Sequence, residues 1–187
     1  MKNNQSFSFP LVFILSVFFT LACDSKAKDN LQNPTRNKEV DIHSAVVNND
    51  IEAVKKYIAA KKNLNEKDLI GGSSPLITAA LFGRTEIAGL LIDAGADLSI
   101  QNNDGSTALH VASFFCHPEI VKMLLKKGVN KNTKNKYGST ARESVIVPYK
   151  DVKNVYQGIE QMLTPIGLKL DYIHIEKTRP IVAALLK

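Results

Sequence analysis

The feature that most constrains this chain is a period. Gly72-Ser73-Ser74-Pro75-Leu76-Ile77-Thr78-Ala79 aligns with Gly105-Ser106-Thr107-Ala108-Leu109-His110-Val111-Ala112, and both align with Gly138-Ser139-Thr140-Ala141, at steps of 33 residues. The same step carries Glu86-Ile87 onto Glu119-Ile120, Leu90-Leu91 onto Met123-Leu124, and Gly95-Ala96-Asp97 onto Gly128-Val129-Asn130. A unit of that size cannot bury its own apolar face, so successive units must stack and share one core. Ile87, Leu90, Leu91 and Ala94 recur at helical spacing and define such a face. Gly95 and Gly128 stand where a helix ends in a left-handed residue. Each unit reads as helix, turn, helix, finger.

This period and pattern resemble the ankyrin repeat. Thr107-Ala108-Leu109-His110-Val111-Ala112 is close to the family's T-P-L-H-x-A, and His117-Pro118-Glu119-Ile120-Val121 matches its H-x-E-I-V. An earlier unit is legible at Ile42-His43-Ser44-Ala45 and Asp50-Ile51-Glu52-Ala53-Val54. Its offset of 34 to the next puts one extra residue in the finger Leu69-Ile70-Gly71-Gly72. The fourth unit is longer by six, with the surplus expected around Ile146–Lys150, between its helices. Arg179-Pro180-Ile181-Val182-Ala183-Ala184 mirrors Ser74-Pro75-Leu76-Ile77-Thr78-Ala79 and reads as a closing half repeat. The resemblance implies an all-α solenoid of stacked helix-turn-helix units with short β-hairpin fingers. The expected repeats span about 41–68, 69–101, 102–134 and 135–173, with a capping half repeat at 174–187.

Ahead of the repeats, the apolar run from Leu11 to Ala22 follows a short N-terminus whose one charge is Lys2. It is too short to span hydrocarbon and suits a secretory signal. Thr20-Leu21-Ala22-Cys23 resembles a bacterial lipobox, departing from it at Thr20. The expectation is a signal peptide over 1–22, a lipidated Cys23 and a polar tether over 23–40. Dual acylation gives stable anchoring where one chain does not. That places the chain as a periplasmic or outer-membrane lipoprotein of a bacterial envelope, with a secreted or periplasmic soluble form as the alternative.

No catalytic set is legible: there is no nucleophile–base–orienter trio, no paired carboxylates and no phosphate loop. The resemblance assigns His43, His110 and His117 to structural slots, and His174 stands alone in the expected last finger. Cys116 takes the place of Gly83 in the turn between helices, which suits a residue tolerating a left-handed backbone. A redox or metal role at Cys116 and His117 is a remote alternative. No metal, cofactor or small-molecule substrate is expected. Absent tryptophan and few aromatics argue against single-stranded nucleic acid, and no nucleic-acid partner is expected.

The function that the resemblance implies is binding of a protein, here unidentified. In ankyrin repeats, the residues after the first-helix alanines face a concave groove. Those slots hold Val47, then Leu81 and Phe82, then Phe114 and Phe115, and bulky aromatics there suggest a contact surface. Leu69, Ile70, Asn103, Asp104, Lys136 and Tyr137 are the finger-tip candidates. The alternative is a structural or regulatory role at a membrane. There the run from Lys126 to Lys136, which no acid interrupts between Glu119 and Glu143, would rest on anionic lipid.

Overall fold

The structure, a computed structural model, describes residues 41–187; the expected signal peptide, Cys23 and tether lie outside the described residues. Three helix pairs follow one another: α1 (Ile42–Val47) with α2 (Ile51–Ala59), α3 (Pro75–Leu81) with α4 (Thr85–Asp93), and α5 (Ala108–Phe114) with α6 (Pro118–Lys126). Then come α7 (Ala141–Ile146), α8 (Tyr149–Leu163), a short 3-10 turn at Thr164–Ile166, and α9 (Tyr172–Leu185). No described helix is long and apolar enough to cross a membrane.

Local chemistry sets each start. The Ser74 and Thr140 hydroxyls accept from the backbone N–H three residues on. At Thr107 a capping box closes through His110, and at Thr140 through Glu143. Pro75 and Pro118 sit in the first turns of α3 and α6, where a missing N–H costs nothing. The turns between paired helices need a left-handed residue, and Asn49, Gly83 and Cys116 supply it with φ of 56°, 63° and 60°. The ends of the second helices need another, supplied by Lys61, Gly95 and Gly128, and Gly167 does the same after the 3-10 turn.

The core follows the period. Val54, Ile87 and Ile120 are buried on the second helices at equal steps, with Leu91 and Leu124 one turn further. Ala45, Ala79 and Ala112 are buried at the matching place on the first helices, where a small side chain lets neighbouring helices approach closely, and Val145 fills that place on α7. First helices pack on first helices and second on second, so each unit covers the face its neighbour exposes.

The fourth unit departs from expectation. α9 pairs with α7 and lies beside α6, as α6 pairs with α5 and lies beside α4. The expected fourth repeat at 135–173 and half repeat at 174–187 therefore separate two helices that pack together. The surplus does lie between the unit's two packed helices, but it comprises all of α8 and the 3-10 turn, rather than a few residues near Ile146–Lys150. Pro180, expected to open a helix as Pro75 does, sits inside α9, which starts earlier because Asp171 caps it by accepting from His174 N–H at 3.0 Å.

The fingers are turns, and among the described residues no strand forms. In each, the backbone N–H of an Asp or Asn bonds one serine carbonyl: Asp68 to Ser73, Asn102 to Ser106 and Asn135 to Ser139. The same side chain then takes up the tip amides that a β-ladder would otherwise pair.

Candidate binding face and the seams that hold it

Four carbonyls at one repeat position, those of Val47, Leu81, Phe114 and Val147, are engaged, the first three by the unit that follows and the last within the fourth unit. Arg84 Nη2 donates to Val47 O at 2.7 Å, and the His117 ring bonds Leu81 O. Tyr156 Oη donates to Phe114 O at 2.5 Å, and Arg179 Nη2 to Val147 O at 2.7 Å. The accepting positions follow the repeat step, and so do Arg84 and His117. This seam runs along the turn end of the helices. Sequence reading missed its donors, although the shared register of Arg84 and His117 was available as a signal.

Val47, Leu81 and Phe82 are half-buried, with the Arg84 guanidinium 5.7 Å from the centre of the Phe82 ring. The expectation for Phe114 and Phe115 is corrected. Phe115 is only 6% exposed, and α8 lays Tyr156 over the pair. Tyr156 stacks on Phe114 with ring centroids 4.5 Å apart, while Phe115 meets both rings edge-on at 5.2 and 6.1 Å. The pair belongs to the packed core because the inserted helix brings an aromatic to it. Tyr156 is itself fully buried and accepts from Arg179 Nη1 at 2.6 Å, so burial pushes its hydroxyl pKa strongly upward.

A second seam joins the fingers at the opposite end of the helices. Asn103 N–H donates to Gly71 O and Lys136 N–H to Asp104 O, each at 2.9 Å. The fit leaves no room at Gly72, where a Cβ would fall 2.4 Å from Asn103 Oδ1, or at Gly105, where it would fall 2.9 Å from Lys136 N. Deeper in, His110 accepts from Thr107 N–H and bonds Ser139 O at 3.1 Å, while His43 lies 3.0 Å from Glu66 O and 3.2 Å from Thr78 Oγ1. These histidines link units.

All six finger candidates are exposed. Leu69 is 102% exposed and Ile70 89%, the most open large apolar side chains described. They are held there: the Asp68 carboxylate accepts from the N–H groups of Ile70 at 2.8 Å, Gly71 at 2.6 Å and Ser73 at 3.0 Å. Asn102 and Asn135 do the same for the second and third tips. Asn103 and Asp104 form the middle tip, and Lys136 and Tyr137 the third, where Tyr137 Oη donates to Asp104 Oδ1 at 3.1 Å.

Geometry gives no support to chemistry at Cys116 and His117. The thiol is buried and its pKa pushed up to about 11, so the nucleophilic thiolate is disfavoured. Burial lowers His117 to about 4, and its ring packs over Gly83. His174, expected alone in a finger, lies in the first turn of α9 with Nε2 3.3 Å from Cys116 O. Among the described residues, no group of three or more His, Cys, Asp or Glu is placed to hold a metal ion. The lysines from Lys126 to Lys136 are exposed, with Lys127 paired to Asp93 at 3.0 Å and Lys131 bonded to Lys187 O.

A family model described as ankyrin repeats, in three copies, matches residues 42–135. The chain belongs to the ankyrin-repeat family. The matched span holds the three regular units and the finger bond from Asn103 to Gly71, and it stops short of Lys136 and of α7. Ankyrin repeats are in general protein-interaction modules without catalysis of their own, and in this ankyrin array the six finger candidates stand exposed. No curated protein matches the chain.

Proposed function

We propose that this ankyrin array is a docking module that binds a protein partner across its finger tips and the open end of its inner row at Val47, Leu81 and Phe82. The observation that carries the reading is the Leu69–Ile70 tip. Two large apolar side chains stand almost fully in solvent on a turn whose amides are locked by Asp68. Burying either is worth roughly 1.5–3 kcal/mol. A turn already fixed loses little conformational freedom on association.

The test is the Leu69→Ser, Ile70→Ser variant. It is expected to keep the helical circular dichroism of the parent and to lose at least tenfold in affinity for whatever protein the parent retains. Unchanged affinity removes the fingers from the binding face.

The same proposal places the module in a bacterial envelope through a lipid on Cys23. The support is Thr20-Leu21-Ala22-Cys23 behind an apolar run, followed by a polar stretch. Mass spectrometry of the mature protein should find an N-terminal acylated cysteine, and Cys23→Ser should release the chain from membranes. An unmodified Cys23 would refute the anchor.

A further inference from the structure

We infer that the finger row recognises an acidic, extended segment of a partner protein, with an apolar residue on the Leu69–Ile70 tip and carboxylates on the Lys134–Lys136 finger. The inference rests on the finger-tip reading above and names the chemistry of the partner.

The three tips differ in kind. The first is apolar, and the extra residue of its finger projects Leu69 and Ile70 into solvent. The middle tip is polar: Asn103 and Asp104 are exposed, and Asp104 already accepts from Tyr137 Oη. The third is cationic. Lys134 and Lys136 are exposed in a stretch that holds no Asp or Glu from Glu119 to Glu143. The carboxylate that Lys134 feels, that of Glu143, is engaged by the Thr140 N–H at 2.7 Å. A segment complementary to this order is apolar, then uncharged, then acidic. An acid over the middle tip would meet Asp104.

The bonds from Asn103 to Gly71 and from Lys136 to Asp104 hold the tips in one register, so the spacing is fixed. Packed helices lie about 8–10 Å apart, which puts the first and third fingers roughly 16–20 Å apart. An extended chain rises about 3.3 Å per residue, so roughly five or six residues separate the apolar anchor from the carboxylates. Charge complementarity at an exposed site is screened by salt, and the binding must weaken accordingly.

The experiment uses the full chain and fluorescence anisotropy with synthetic probes. One peptide carries two leucines, a neutral spacer of about five Ser, Gly and Asn residues, and three glutamates; its counterpart replaces the glutamates with lysines. The expected result is at least tenfold tighter binding of the acidic peptide at low salt, declining as salt is added. Lys134→Glu with Lys136→Glu should erase the preference, and Leu69→Ser with Ile70→Ser should weaken the acidic peptide with circular dichroism unchanged. Equal binding of both peptides, no measurable binding of the acidic one at millimolar concentration, or a preference that survives the lysine reversals overturns the inference. So does retention of the protein on phosphatidylglycerol vesicles, through these same lysines, when the acidic peptide does not bind.

A photo-crosslinking residue at position 69 separates the two levels in the protein's native cells. An adduct whose contacting segment is not acidic overturns the inference and leaves finger-tip binding standing. No adduct from position 69 or 103 removes the finger-tip reading itself.

Discussion

Asp68 shows how one side chain can decide the shape of a surface. Its carboxylate holds three amides of the first finger, so Asp68→Ala should cost about 1–2 kcal/mol and loosen the tip. The check is chemical denaturation, with hydrogen exchange at Ile70 and Gly71 rising more than at α3 or α4. His117 sets an acid limit. Its ring faces the Leu81 carbonyl, Gly83 and His174, and burial depresses its pKa to about 4. Between about pH 6.5 and pH 4 the unfolded chain binds the proton and the folded one does not, so stability falls as pH falls through that window. A depression of that size corresponds to roughly 3–3.5 kcal/mol. His117→Gln should flatten the pH dependence of unfolding, leaving the share of His110, whose burial shifts it in the same direction. The linking roles of His43 and His110 and the left-handed turn at Cys116 were legible because family pattern and register name those slots. The role of Asp68 was not, since an acid in a loop looks like an ordinary solvated charge, and Arg84 is marked only by the register it shares with His117.

Among the elements, α8 is where order in sequence and order in space part company. Stepping along the period assigns the outer helix of the fourth unit to the residues after α7, because periodicity records succession and not packing. α9 takes that place, carrying buried Ile175 and Val182 with buried Leu186 just past its end, and α8 is left to settle on the α5–α6 turn. Its hold depends on Tyr156, which stacks on Phe114, bonds Phe114 O and receives Arg179. Tyr156→Phe keeps the stack and loses the bonds, a cost of about 1–2 kcal/mol. Tyr156→Ala opens the aromatic cluster, a cost of about 3–5 kcal/mol. Limited proteolysis should then cut within 149–163 while sites in α3 and α4 stay protected. Equal protection in the parent and in Tyr156→Ala would show that other contacts hold α8. Two bulky aromatics in consecutive groove positions read the same whether a partner or the chain itself covers them, so their fate needed the insert's position.

For the whole molecule, stability is a sum over neighbours, and the fourth unit closes one end of the sum. Truncation after Leu170 removes α9 and bares apolar faces of α6 and α7, so the circular dichroism loss should exceed the fourteen helical residues deleted. A loss confined to those residues would show that the first three units stand alone. The two seams also bear on how the array answers force. Bonds between repeats run along both ends of the helices, from Val47, Leu81 and Phe114 at one end and from Gly71 and Asp104 at the other. Flexing the stack either way strains one row in tension while the other serves as fulcrum. An array hemmed on both margins resists bending like a stitched ribbon, and under a pull it should shed whole repeats in steps rather than stretch as a spring.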